Sequence, residues 1–287
     1  MSTTKPSQFQ LHPITDSDFP ALTTALWESF ENPRQGLLRL FMPILNNDRE
    51  ASLQACITAQ REEYHHHQPH CTWIKIVDTQ SENRIAAAAK WYFYDDNPYD
   101  EHGEVLVADW YPEGVSREFA TQAVRIFERP REEMARRGHA CTPPILQSPL
   151  PYPTISTEPV SNCLIVLHIA FTLPSYRHRG LGRMFMDWGI RIADERGLEA
   201  WLDASEFGVP LYEKFGFRRV LVNKVRPVPE RELTDREKAE WEECERVMLP
   251  IEYTVMWRPR RGDHPYEERK MVLPWEEGKR DGWCRVN

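Results

Sequence analysis

Residues 162–173, NCLIVLHIAFTL, form an apolar run that stops at Pro174. Both alternating faces of this run are apolar. Such a strand is stable only inside a sheet that is covered on both sides. It therefore commits the chain to a layered α/β architecture before any other element is placed. The run leads into SYRHRGLGR, where Arg177, His178 and Arg179 precede Gly180 and Gly182. A helix follows, with Leu181, Phe185, Trp188 and Ile192 at helical spacing and Gly197 as its stop.

The flanking elements fit the same architecture. Residues 8–14 read as a first strand. A helix after Thr15 or Ser17 carries Leu22, Leu26, Trp27 and Phe30, and a second helix spans about 49–64. CTWIKIV at 71–77 and RIAAAAKWYFY at 84–94 read as hairpin strands joined through SEN. Residues 116–137 predict a helix interrupted near Pro130. The segment 138–162 is rich in proline and reads as an irregular surface loop. Strands are expected at 198–204, at FRRVLVNKV and at 251–257, with a short helix at VPLYEKFG. A further acidic helix is expected to open with a Thr234–Glu237 capping box. The expected fold class is a mixed α/β sheet flanked by helices. It forms a single domain over 1–257 with a polar extension from 258 to 287.

Composition excludes several classes. The formal net charge of −8 lacks the basic footprint of a nucleic-acid binder. No apolar run is long enough to span a membrane, and the first residues show no apolar signal region. The six cysteines are scattered without a CxxC pair. They read as free thiols, so the expected location is cytoplasmic, with the nucleus as the alternative.

A buried strand that ends in a glycine turn opening a helix is a phosphate site in physical terms. The first amides of a helix lack backbone partners, and the helix dipole adds partial positive charge. Glycines let oxygens approach those amides. The nucleotide-binding loop needs Gly-Lys-Ser/Thr, which is absent. The dinucleotide fingerprint needs a third glycine at position 185, which is Phe185. What remains is Arg177-x-x-Gly180-x-Gly182. This stretch resembles motif A of the GNAT acetyltransferases, which bind the acetyl-CoA pyrophosphate in such a turn. SEFGVPLYEKFGFRRV at 205–220 is similar to that family's motif B, with Leu211, Tyr212, Glu213, Lys214, Gly216 and Phe217 matching. The resemblance covers about 160–257, and the LHI…WG…AD pattern is similar to fungal members.

The resemblance implies the GNAT fold, with two parallel strands that splay apart, and acetyl-CoA as co-substrate without a metal. It implies that the backbone of Ala170, Phe171 and Thr172 binds the pantetheine arm. The turn Arg177, His178, Arg179, Gly180, Leu181, Gly182 and Arg183 would hold the pyrophosphate. Ser205 stands where the family often carries asparagine, so its cofactor contact rests on a shorter side chain. Tyr212 is the expected general acid, because a phenol of pKa ~10 is protonated at neutral pH. His168 is the candidate base: it interrupts an apolar strand, and an imidazole suits proton transfer near neutrality. A core histidine bonded to a carbonyl is the competing reading of the same residue. A water chain to Glu104 or Asp109 is the alternative route for the proton.

The run His65, His66, His67 sits at a helix end with the side chains pointing apart, which disfavours a metal site. Trp91, Tyr92, Phe93 and Tyr94, with Trp110 and Tyr111, read either as an acceptor pocket or as core. The expected activity is transfer of acetyl to a primary amine of a small molecule. Acylation of a protein amine or a hydroxyl, and a non-catalytic acyl-CoA-binding regulator, are the alternatives.

Overall fold

The computed structural model describes residues 7–94, 106–135 and 164–260. The proline-rich loop, Glu104 and the extension beyond residue 260 lie outside the described residues.

Seven strands form one sheet in the order β1-β2-β3-β4-β5-β7-β6. These are β1 (Phe9–Pro13), β2 (Cys71–Asp78), β3 (Arg84–Tyr94), β4 (Leu164–Thr172), β5 (Glu199–Ala204), β6 (Arg218–Lys224) and β7 (Glu252–Arg258). The β2–β3 pair is the expected antiparallel hairpin. Every neighbouring pair is antiparallel except β4–β5, which is parallel. The helices are α1 (Phe19–Glu31), α2 (Gly36–Phe41), α3 (Arg49–His66), α4 (Val115–Ala135), α5 (Leu181–Arg196), α6 (Val209–Glu213) and α7 (Asp235–Met248).

Alternation along β3 shows how the layers are arranged. Ala86 to Ala89 are all fully buried, and small side chains let the covering layers approach. Trp91 points to α5. A Cβ on Gly189 would lie 2.3 Å from its indole, so only glycine lets this helix close on the strand. Lys90 and Tyr92 point the other way, to Glu63 of α3. Gly182 likewise admits Leu211 of α6 against the first turn of α5. Gly197, at φ 64°, ends α5 as expected.

Two elements depart from the sequence reading. The short α2 has no strong periodic signal and was not expected. Its Gly36 backs onto the Met248 carbonyl at the end of α7, where a Cβ would lie 1.9 Å away. The expected break at Pro130 does not occur, and α4 runs through it. Proline removes the N–H that would bond the carbonyl four residues back. That carbonyl belongs to Ile126, and Asn223 of β6 donates to it at 2.9 Å. The next carbonyl, Phe127, accepts from Tyr253 of β7 at 2.5 Å. The Thr234–Glu237 capping box opens α7 as expected. Among the described residues, no helix is long and apolar enough to cross a membrane.

Gly189→Ala tests the α5 contact. In an exposed helix this change gains about 1 kcal/mol from propensity. Against Trp91 it should instead cost ~2 kcal/mol through overpacking, read as a lower denaturation midpoint.

Candidate active site

The parallel ladder between β4 and β5 is only four pairs long, from Leu164↔Glu199 to Leu167↔Leu202. Beyond it β5 pairs only with β7, while β4 continues along β3. The two strands therefore splay. His168 and Asp203 are the first residues past the ladder on each side. Ala170, Phe171 and Thr172 follow along the open edge of β4, paired on their other side with Ala89, Ala88 and Ala87. The expected pantetheine-binding residues thus lie on a backbone edge that has no strand neighbour among the described residues.

At the end of that edge the chain turns into α5. His178 (φ 62°) and Gly180 (φ 81°) both take the left-handed conformation. Among the described residues, the amides of His178, Arg179, Gly180, Leu181 and Gly182 have no backbone acceptor outside the helix. The orphan donors at the N-terminus of this 16-residue helix thus face an exposed turn. Among the described residues, a Cβ at Gly180 meets nothing within 4 Å, so none of them fills the space above the turn. This arrangement fits a pyrophosphate.

The charged side chains of the turn divide. His178 and Arg179 are exposed, and Arg179 lies over the Tyr176 ring. Arg183 is exposed and 3.5 Å from Asp187. Arg177 is turned away from the amides. Its guanidinium donates to the Asn32 carbonyl at 2.6 Å, Ser29 at 3.0 Å and Thr172 at 3.3 Å. Arg177 thus clips the turn to the end of α1. Ser205 lies in the β5–α6 turn, where its carbonyl accepts from Gly208 and Val209.

Tyr212 sits on α6, nearly buried, with its ring packed on Phe217. A Cβ at Gly208 would come within 2.7 Å of this ring, so that glycine makes room for it. Burial pushes the phenol up to about 12, which keeps it protonated.

His168 is the extra residue of a β-bulge. Lys90 pairs with Ile169 and Trp91 with Leu167, so His168 is skipped. The bulge turns its ring out, and part of it reaches solvent while protein crowds its other sides. It is therefore not a sealed core histidine. That crowding, with Lys90 and Arg131 nearby, pushes the imidazole down to about 3. His168 is neutral at pH 7. The Tyr92 ring meets it edge-on at 5.3 Å and stacks with Tyr94.

Sequence reasoning missed the groups around His168. Glu63 of α3 reaches Lys90 at 2.5 Å and accepts from the Tyr92 hydroxyl at 2.8 Å. Although burial opposes it, Lys90 holds this carboxyl down at about 2. On the other side, Arg131 of α4 pairs with Asp203 and Glu128. Burial raises Asp203 to about 6 against the pull of Arg131. The one available signal was Lys90 itself, a charge inside an otherwise apolar strand.

The remaining candidates are scattered. Asp109 is exposed ahead of α4 and contributes its carbonyl to Arg117. His65 meets Asp16, His67 packs on Tyr92, and His70 bonds the Phe93 carbonyl. The aromatic stretch splits by face: Trp91 and Phe93 pack on Trp188, while Tyr92 and Tyr94 flank the site. Trp110 and Tyr111 bond the carbonyls of Leu40 and Arg39 and serve packing.

Residues 155–217 match the model of the acetyltransferase (GNAT) family. Solved structures share the fold at low identity. An agmatine N-acetyltransferase variant in its apo form is 15% identical with a TM-score of 0.51, covering 88% of this chain and 98% of its own. A mosquito arylalkylamine N-acetyltransferase-like protein, 5b, is 11% identical with a TM-score of 0.50, covering 87% of this chain and 99% of its own. No curated protein sequence matches.

The shifts at His168 predict acid sensitivity. Between pH 6.5 and about 3 the unfolded chain binds a proton at His168 that the folded chain does not, so stability falls as pH drops. Glu63 acts in the same direction between 4.5 and about 2. Asp203 opposes them between about 6 and 3.8. Comparing variants isolates the histidine. Urea midpoints should fall more steeply from pH 7 to pH 4.5 in the wild type than in His168→Gln. Parallel slopes would show that the imidazole titrates normally.

Proposed function

We propose that the chain is a member of the acetyltransferase (GNAT) family, whose model matches residues 155–217, and that it transfers acetyl from acetyl-CoA directly to a primary amine of a small molecule. The supporting observation is the open edge of β4 running straight into the unpaired amides of the His178–Gly182 turn. The edge suits an extended amide-bearing arm, and the turn suits a pyrophosphate. The two sites are one continuous strip of backbone. The amines named for the similar folds, agmatine and arylalkylamines, are the first acceptors to try.

In this reading the amide groups at the splay beside His168 and Ile169 polarise the thioester carbonyl. The amine nitrogen attacks that carbon, forming the C–N bond while the C–S bond breaks. Neutral His168 accepts the proton that the nitrogen loses as the C–S bond breaks and releases it to solvent. Tyr212 gives its proton to the departing thiolate and is recharged from solvent. Its raised value keeps that proton in place until the thiolate forms. A cytoplasmic location and a single domain complete the proposal.

Calorimetric titration with acetyl-CoA tests the cofactor half. Wild type should bind in the micromolar range, and Gly180→Trp should lose at least tenfold. Its side chain enters the open space over the amides rather than the core. Absence of binding to folded wild type would defeat the proposal. Tyr212→Phe tests the acid: kcat should fall by about 10²-fold with acetyl-CoA affinity unchanged. Undiminished turnover would remove Tyr212 from the mechanism.

A further inference from the structure

Lys90 is completely buried in the centre of the sheet, directly after four buried alanines. Stability does not explain it. Desolvating a lysine costs several kcal/mol, and a buried ion pair is often no better than apolar residues of similar volume. Its ammonium lies 2.5 Å from Glu63 Oε1, and the same oxygen accepts from Tyr92 at 2.8 Å. Gln60 donates to Oε2 at 2.9 Å. A carboxylate has about four acceptor positions, so one on Oε2 is left.

The pair is polarised in space. Lys90 is 0% exposed, whereas the Glu63 side chain is 30% exposed. The positive end is sealed in the sheet and the negative end faces outward. Tyr92 touches both Glu63 and the His168 ring, so this carboxylate stands one ring's width from the splay. We propose that Glu63 is the anchor for the ammonium group of the acceptor, with Lys90 as the buried positioning residue that fixes its carboxylate toward the cleft. The inference rests on the acetyl-transfer reading and names what that site selects: a protonated primary amine rather than a hydroxyl.

Of the three carboxylates in this cluster, Glu63 is the most exposed, at 30% against 17% for Glu128 and 7% for Asp203. Around His168, Glu63 approaches from α3, His67 from the residue just beyond it, Lys90 and Tyr92 from β3 and Arg131 from α4, while Glu128 of α4 and Asp203 of β5 lie against Arg131. Arg131 is already engaged by Asp203 and Glu128. An amine held on Glu63 stands near His168, with the Tyr92 ring between them.

Ring signals of histidine-labelled protein report the binding by NMR, with His168 assigned by its loss in His168→Gln. The probes are tyramine and n-butylamine, each paired with its alcohol, tyrosol and n-butanol. In wild type both amines should shift the His168 signal saturably, and the alcohols should bind at least tenfold more weakly. Glu63→Gln should weaken the amines at least tenfold and erase the preference. Lys90→Met, which leaves the carboxylate but frees it, should do the same in part and keep the alcohols unchanged. Equal response to amine and alcohol, an unmoved wild-type signal, or wild-type amine affinity in Glu63→Gln would each overturn the proposal. Acetyl-CoA titration of the same samples separates the two claims. Loss of cofactor binding counts against acetyl transfer, whereas normal cofactor binding with no amine preference counts against Glu63 alone.

Discussion

The structure depends on the place where parallel pairing stops. Four residue pairs join β4 to β5, and then β5 is drawn away by β7. A longer ladder would close the edge of β4 and leave no backbone for a ligand to meet. A shorter one would cut the sheet in two. The bulge at His168 falls just past this point, on the opposite edge of the same strand. The strand thus changes partner and aims a side chain within two residues. Bulges bend a strand and redirect what it carries, so the coincidence places His168 at the opening itself.

Both halves of the sheet are then covered by helices that send charge toward this point. From α3 comes Glu63, met by Lys90, and from α4 comes Arg131, met by Asp203. α4 is itself tied down by β6 and β7 through the two carbonyls around its proline, so Arg131 stands on a fixed platform. The opposite layer is set by contact distance rather than by charge. Trp91 fills the space that Gly189 leaves empty, and α5 lies close enough for its N-terminus to continue the line of β4.

Much of this was legible in the sequence because it is local. The apolar run before Pro174, the two glycines, the Thr234–Glu237 box and the Leu211–Phe217 segment each report on their own few residues. Period, turn chemistry and motif spacing sufficed for them. What was illegible joins distant segments. Glu63 and Lys90 are 27 positions apart, and neither carries a motif. Pro130 reads as a break because the repair comes from Asn223, far along the chain. Arg177 belongs to the motif by spacing, yet its side chain is committed to carbonyls of residues 29 and 32. Sequence spacing located that arginine correctly and left its partner unknown.

Arg177 also makes the molecule one mechanical piece. Its guanidinium grips the carbonyl end of α1 and the last residue of β4 at once. α1 in turn carries Trp27, fully buried, with the Arg39 and Arg49 guanidiniums over its ring. The turn therefore moves only by breaking these three hydrogen bonds or by carrying the end of α1 along. A displacement of the turn is thus passed first to the end of α1, which packs on α3, the helix that carries Glu63.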